Sequence, residues 1–435
     1  MTRANHPGFS CAAGYDVAMH RLMSVPAVWL GWILARLLLA RLIIADPMPY
    51  GDVHYYHFGL FGDDPTAMTE YPDAGVWPVR LLGWLTTPHI TAFLAGFTVM
   101  CMLIDAAVLA LVLRSGGPRR FVAGWFWVFF GLATGHVLWL RLDLFPAVLV
   151  AGAAALLLTR PAVASAVLAG AAAVKLWPAV LAAGLVGGLR RVGTWIRVGA
   201  FFASLLVLAG ITWATSGLDR LLSPLTYQGD RGIQIESLAA VPFLIRAHEH
   251  PDQYWRGFAE SKSFEIHGPG TDVAVQVADW AMLAVLVFAV LWAVWQLLAD
   301  RWAPRPAIAF MLLLVLLLIV TNKVFSPQYI VWIGPLLALC LTLTRSRLVS
   351  AMAVLSVIAA ALGLYVFPFH YTPIWEDPVN ATTAIAVLSL RNVLILVITV
   401  LSTLWLVEET KRAGAPPAGR PAEEPARRPL LEELR

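Results

Sequence analysis

A polar stretch rich in possible acid–base groups follows the first long apolar run of the chain. The apolar run is Val25 to Ala45, and the stretch Asp46 to Leu60 reads DPMPYGDVHYYHFGL. A carboxylate just outside a membrane span can stay ionised and accept the proton of a substrate hydroxyl. We therefore expect Asp52 to act as a general base, with Tyr56 and His54 beside the substrate. The alternative is that Asp52 only caps or solvates a loop.

Basic side chains in the apolar segments provide a second kind of chemistry. Lysine and arginine are costly inside a membrane, so they are usually paired or functional there. Lys175 and Lys323 each interrupt apolar sequence, with no acidic residue within five positions. We expect the phosphate of a substrate to be bound by four cations, namely Lys175, Lys323, Arg231 and Arg141. A simpler alternative pairs Arg141 with Asp143, and Arg391 with an external carboxylate.

Two further polar groups are candidates for substrate binding. Arg231, Gln234 and Glu236 form one group, which is suited to hydrogen-bonding sugar hydroxyls or a phosphate; the alternative is an exposed helix start with a solvated Glu236. Gln328 and Tyr329 form the other group, in the turn NKVFSPQY. The histidines lack the i, i+4 spacing of a helical metal site, so we predict no cofactor and leave a divalent metal open.

The elements that must position these residues are membrane helices. The chain of 435 residues is 59% hydrophobic and 13% charged, contains 18 Trp and has a mean hydropathy of +0.74. Several apolar runs exceed the roughly 18 residues needed to cross about 30 Å of hydrocarbon as a helix. We predict an all-α polytopic membrane protein, a bundle of about 11 to 13 transmembrane helices.

The predicted transmembrane domain covers residues 25–407, between an N-terminal cytoplasmic segment (1–24) and a disordered cytoplasmic tail (408–435). The predicted spans are Val25 to Ala45, Ile90 to Leu113, Phe121 to Leu140, Leu144 to Thr159, Val192 to Thr215, Val273 to Asp300, Pro306 to Thr321, a ninth ending near Thr344, Leu348 to Val366, and Thr383 to Val407. The segment Pro161 to Leu189 is predicted to be a hairpin that rises to Lys175, breaks at Pro178 and returns.

Charge predicts the orientation of the bundle, because Lys and Arg favour the cytoplasmic ends of spans. Alternate turns are basic; they contain Arg119, Arg120, Arg160, Arg190, Arg191, Arg197, Arg301, Arg305, Arg345, Arg347, Lys411 and Arg412. The long loops after the first and sixth spans are then external. We predict a plasma-membrane protein whose active site lies on the external, periplasmic side.

Together these features resemble the GT-C superfamily of polytopic glycosyltransferases, and most closely glycosyltransferase family 87 of actinobacteria. DVHYY, with Asp52 and Tyr56, is similar to the family's Asp-x-x-x-Tyr element. Tyr71 and Pro72 resemble its Tyr-Pro-Pro element, although the second Pro is Asp73 here. AAAVKLWP, with Lys175, resembles its Lys-x-x-Pro stretch, and NKVFSPQY resembles a turn of related mannosyltransferases. The likeness covers most of the chain from the first to the ninth span.

The resemblance implies an inverting glycosyltransferase. Asp52 would be the catalytic base, Lys175 would lie near the lipid phosphate, and the donor would be polyprenyl-phosphate mannose. The acceptor would be a membrane glycolipid or a cell-envelope glycan, and no nucleic acid would be a partner. A DxD variant found in some relatives is absent after the first span, which leaves metal dependence open. The alternatives are a lipid-sugar flippase or transporter, an arabinofuranosyltransferase and a non-catalytic scaffold.

Overall fold

The structure is a computed structural model that describes residues 21–414, apart from residues 47, 65, 87, 118 and 227–230. Its helices in that part of the chain are α1 (Val25–Ala45), α2 (Gly51–Phe61), α3 (Asp73–Leu85), α4 (Ile90–Arg114), α5 (Arg120–Thr134), α6 (Leu144–Leu156), α7 (Pro161–Val174), α8 (Val192–Thr226), α9 (Val241–Glu249), α10 (Thr271–Ala299), α11 (Pro304–Thr321), α12 (Gly334–Leu343), α13 (Arg347–Leu364), α14 (Tyr371–Glu376) and α15 (Thr382–Gly414). Its strands are β1 (Ile233–Gln234), β2 (Trp255–Phe258) and β3 (Phe264–His267).

Eight helices within the described residues are long and apolar enough to cross a bilayer. They are α1, α4, α5 with the 3₁₀ turn after it, α8, α10, α11, α13 with the irregular turn after it, and α15. Shorter apolar helices lie at Leu144–Leu156, Pro161–Val174 and Pro327–Leu343. The prediction of an all-α polytopic membrane protein is confirmed at this level. α11 is buried along most of its length, as expected of a helix that is apolar on every side.

The predicted broken hairpin is present, and the break comes slightly earlier than expected. α7 ends at Val174, Lys175 is extended (φ −153°, ψ 141°), and a 3₁₀ segment runs from Trp177 to Leu185. The ring of Pro178 restricts the residue before it and cannot donate to a helix, so the helix ends upstream. At 1.5 Å per residue α7 rises only about 20 Å, which is less than the roughly 30 Å thickness of a hydrocarbon core. A helix of this length that starts at one membrane surface would place Lys175 inside the membrane.

The two predicted loops contain regular structure. The first contains the helices α2 and α3, and the second contains the antiparallel sheet β1-β3-β2 together with α9. The sixth span also continues past its predicted end, because α8 runs on to Thr226 through a kink at Gly217 (φ 85°). α15 likewise extends to Gly414, so residues 408–414 are helical where a disordered tail was expected. The predictions for residues 1–20 and 415–435 lie outside the described residues.

Several basic turns meet at one end of the bundle. Arg119 donates a hydrogen bond to the Ser350 hydroxyl (2.7 Å), and Arg191 pairs with Asp300 (2.8 Å). The Ser346 hydroxyl donates to Glu408 (3.2 Å), which joins the start of α13 to the end of α15. The common placement of these turns agrees with the positive-inside pattern of the sequence.

A buried ion pair joins α1, α4 and α5 within the bundle. Arg36 of α1 holds Asp105 of α4 through two nitrogens, at 2.6 and 2.9 Å, and both side chains are almost completely buried. The indoles of Trp32, Trp127 and Trp139 also donate to this carboxylate, at 3.2, 2.8 and 3.2 Å. The carboxylate is therefore saturated with donors, which is the condition under which a buried charge is tolerated.

Candidate functional site

Asp52 and Arg141 form the centre of the candidate site. Asp52 lies in the first turn of α2, where a carboxylate is favoured by the unpaired N–H groups of the helix start. The Arg141 Nε is 2.6 Å from its Oδ2, but the N–H does not point at the oxygen, so the contact is an ion pair without a hydrogen bond. Arg141 is fixed by donating to the Pro49 and Leu140 carbonyls, both at 2.9 Å.

The Asp52 carboxylate is open on one side. Its side chain is 38% exposed, and within the described residues no group donates a hydrogen bond to it. Desolvation by the surrounding protein raises the pKa of Asp52 above its ordinary value of 3.8, and Arg141 offsets only part of this rise. The result is a carboxylate that is more basic than a solvated Asp and has lone pairs available for a hydroxyl donor.

Lys175 forms a second ion pair beside the first. Its Nζ is 2.6 Å from Oδ1 of Asp143, which lies two residues after Arg141. The Trp332 indole donates to the same oxygen at 2.6 Å. Lys175 and Asp143 are both close enough to act electrostatically on Asp52. The break after α7, the segment before α6 and the first turn of α2 thus bring two carboxylates and two cations together.

Stacked aromatic rings line the Lys175 side of this cluster. Trp332 stacks on Tyr329 with 4.0 Å between ring centroids and on Trp177 with 4.7 Å. The Lys175 Nζ lies 5.2 Å from the Tyr329 centroid and 5.3 Å from that of Trp332, within cation–π range. Tyr329 is therefore part of the cluster, and the neighbouring Gln328 is half-buried on the same 3₁₀ turn.

Neither candidate lysine is unpaired, although both lack acidic neighbours in sequence. Lys175 binds Asp143, and the Lys323 Nζ is 3.4 Å from Oδ1 of Asp279 on α10. The alternative that pairs Arg141 with Asp143 is wrong, because Arg141 instead contacts Asp52. Local sequence could not identify these partners, since each ion pair joins segments that are more than 30 residues apart.

The polar group of the second loop is buried and internally bonded. Glu236 is 0% exposed and pairs with Arg391 of α15, so Arg391 has a carboxylate partner and Glu236 is not solvated. Burial raises the pKa of Glu236 to about 6.

Gln234 is also buried, and it joins the second loop to the turn after α11. Its side-chain oxygen accepts from the backbone N–H groups of Glu236 (3.1 Å) and Phe325 (3.2 Å). The backbone N–H of Gln234 donates to the Lys323 carbonyl (3.0 Å). Arg231 is half-buried two residues before the start of β1. The contacts of Gln234 and Glu236 hold the loop in place.

Tyr56 and His54 lie on different faces of α2. Tyr56, four residues after Asp52, is on the same face and fully buried against Tyr71 (5.9 Å between ring centroids). Burial raises the pKa of Tyr56 well above its ordinary value, so its hydroxyl keeps its proton. His54 is exposed on another face beside Tyr50, so the structure does not bring it to Asp52.

Asp73, directly after Tyr71 and Pro72, has a structural role. It accepts hydrogen bonds from Arg80 (2.7 Å) and Trp77 (3.1 Å) and lies 3.7 Å from Arg220 of α8. Burial acts to raise the pKa of Asp73, but the hydrogen bonds from Arg80 and Trp77 bring it below its ordinary value. The segment between α1 and α4 is thereby tied to the C-terminal part of α8.

No family model, curated protein or solved structure matches this chain. Sequence reasoning missed Trp332, which has no motif signal, and treated Asp143 only as a partner for Arg141. For the described part of the chain, no group of three or more His, Cys, Asp or Glu side chains is placed to hold a metal ion.

Proposed function

We propose that this protein is an inverting glycosyltransferase that moves a hexose, mannose first among the candidates, from a polyprenyl-phosphate donor to a hydroxyl of a cell-envelope glycolipid or glycan. The observation that carries the proposal is the Asp52 carboxylate, which is paired with Arg141, has a raised pKa and receives no hydrogen bond from any described residue. A general base needs these properties when its proton comes from a substrate hydroxyl.

The proposed chemistry assigns separate roles to the two ends of the cluster. The acceptor oxygen attacks the anomeric carbon while Asp52 takes its proton, and the bond from that carbon to the phosphate oxygen breaks. The negative charge on the departing polyprenyl phosphate is then stabilised by Lys175, with Arg141 nearby. Lys323 and Arg231 are proposed as further phosphate contacts, and Tyr329 and Gln328 as contacts of the sugar.

The wider assignments belong to the same proposal. They comprise a GT-C-like bundle in the plasma membrane, with the shorter apolar helices completing the span count and the cluster facing the external side. Support comes from the basic turns that collect at the opposite end of the bundle.

The decisive experiment is a transfer assay with purified protein. Synthetic radiolabelled polyprenyl-phosphate mannose and crude envelope lipid are incubated with the wild type, and the labelled lipid product is separated. We expect product with the wild type and at least about 100-fold less with Asp52→Asn. A parallel reaction with the arabinofuranosyl donor identifies the sugar.

A flippase would give a different result with the same labelled donors. It would use the cations to bind a lipid phosphate without a base, so label would cross the bilayer of proteoliposomes but never reach an acceptor. If label crosses the bilayer but no sugar is transferred from either donor to an acceptor, the glycosyltransferase proposal is rejected.

A further inference from the structure

A lateral groove lies between α5 and α13, well away from the Asp52 cluster along the chain and in the bundle. Its volume is about 340 Å³, at the lower end of the range for ligand pockets. Its lining includes Arg119 and Ser350 at one end and mostly apolar side chains elsewhere. Leu341 and Phe126 are buried and form its floor, whereas Phe129, Val354 and Ile358 are exposed along its walls.

The groove has the depth of one leaflet. From Arg119 to Phe129, α5 and the residue before it rise about 15 Å at 1.5 Å per residue, which is half of a hydrocarbon core of about 30 Å. Its exposed walls face outward from two helices that are long and apolar enough to span the membrane. In a bilayer such a groove opens to lipid tails.

The polar end of the groove carries positive charge without a matching acid. The Arg119 Nη1 donates to the Ser350 hydroxyl at 2.7 Å, and within residues 21–414 as described no carboxylate pairs with Arg119. The close approach of Gly117 to the Thr342 carbonyl brings this turn against the end of α12, which leads to Arg345 and Arg347. Two other basic residues at this end of the bundle do have acidic partners, because Arg191 pairs with Asp300 and Arg412 pairs with Glu408 and Glu409.

We propose that the groove is a binding site for an anionic phospholipid of the leaflet on the basic side. One acyl chain fills the groove along Phe129 and Val354, and the headgroup phosphate binds Arg119. The Ser350 hydroxyl holds Arg119 in position, because it accepts from Arg119 and donates to the Ser346 carbonyl (3.0 Å). Arg345 and Arg347, exposed and outside any ion pair among the described residues, add to the attraction. Basic pockets between spans on the cytoplasmic side commonly bind anionic headgroups, which supports this occupant over a zwitterionic lipid.

The test measures lipid binding without any activity assay. Delipidated full-length protein in detergent is titrated with phosphatidylglycerol, phosphatidylcholine or inorganic phosphate. Bound lipid is counted by native mass spectrometry, and the melting temperature is followed in parallel. We expect phosphatidylglycerol to bind and to raise the melting temperature, phosphatidylcholine to bind at least about fivefold more weakly, and phosphate alone to have no effect.

Two variants separate the charge from the groove. Arg119→Gln should weaken phosphatidylglycerol binding by about fivefold and leave phosphatidylcholine binding unchanged. Val354→Trp should weaken binding of both lipids by filling the groove. Val277→Trp is its matched control, because Val277 is 62% exposed on α10 and Val354 is 61% exposed.

Three results would overturn the proposal. The first is equal binding of the two lipids by the wild type. The second is phosphatidylglycerol binding that survives Arg119→Gln and Val354→Trp. The third is a cross-link from Val354→Cys to a second copy of the chain in the lipid-bound protein, which would make the groove a helix interface.

Discussion

The oxygens of Asp52 have surroundings unlike those of the buried acids around them. Asp143 accepts from Lys175 and Trp332, and Asp73 accepts from Arg80 and Trp77, so the charges of both carboxylates are already compensated. Asp52 has one ion pair, a partly exposed side chain and no hydrogen-bond donor among the described residues. A saturated carboxylate is a poor base, because proton uptake must break the bonds that stabilise its charge.

Asp52→Asn should therefore abolish most transfer while substrate binding survives. The amide keeps the size and polarity of the side chain but cannot take a proton. We expect the rate of transfer to fall by about 10²-fold to 10⁴-fold, measured as kcat with the donor above.

Asp63→Asn and Asp64→Asn are the matched controls and should leave transfer near normal. The Asp64 carboxylate is fully exposed and accepts from Thr66, whose hydrogen bonds lower the pKa of Asp64. If Asp64→Asn is inactive while Asp52→Asn remains active, the general base is Asp64 and not Asp52. Activity in all three variants would remove the base from this segment.

The pH dependence of transfer should report the titration of Asp52. The base works when deprotonated, so activity is present above its pKa and lost as pH falls through it. Because desolvation raises the pKa of Asp52, the acidic limb of the rate profile should lie above pH 3.8. Arg141 lowers this pKa, so Arg141→Gln should move the limb to higher pH, whatever its effect on the maximum rate.

Normalised pH profiles of the wild type and Arg141→Gln make this comparison independent of the amount of folded enzyme. Arg80→Gln serves as the control, because Arg80 pairs with Asp73 instead. An acidic limb that stays in place in Arg141→Gln would show that the titrating group is not Asp52.

At the scale of elements, the break after α7 and the start of α6 depend on each other through Lys175 and Asp143. Among the described residues, Lys175→Met leaves the buried Asp143 charge with the Trp332 indole as its one hydrogen-bond donor, so we expect a loss of stability of about 3–5 kcal/mol. Lys175→Met/Asp143→Asn removes both charges and should recover most of that stability, measured by thermal unfolding in detergent.

The same two variants test the proposed phosphate contact. If Lys175 binds the donor phosphate, the stable double variant should still bind the donor at least about tenfold more weakly than the wild type. A double variant with restored stability and normal donor affinity would reduce Lys175 to a structural role.

Sequence reasoning predicted these elements better than their contacts. The extended Lys175 and the end of α7 follow from Pro178, a local constraint that any reader of the chain can apply. The partner of Lys175 is 32 residues away, and Arg36 meets Asp105 across 69 residues, so no local pattern encodes either ion pair. The short sheet was also missed, since its strands, such as Ile233–Gln234, are too brief for a visible alternation.

At the scale of the molecule, hydropathy predicted the architecture because bilayer thickness fixes the length of a span. α1 begins and ends where the sequence predicted, at Val25 and Ala45, and α11 ends at Thr321 as expected. The departures occur where a helix leaves the apolar region. α8 and α15 continue beyond it, because the thickness of the bilayer sets the shortest length of a spanning helix and not the residue at which the helix ends.

The orientation of the whole molecule is the remaining prediction, and thiol labelling can test it. The background carries Cys11→Ser. Cys101 and Cys340 are buried, so we expect neither to react with a bulky probe. Asp64→Cys should react with a membrane-impermeant maleimide in intact cells, because Asp64 is exposed at the Asp52 end of the bundle. Lys411→Cys, exposed near the end of α15, should react only after permeabilisation, since basic turns favour the cytoplasm. The reverse pattern would place Asp52 on the cytoplasmic side and refute an external active site.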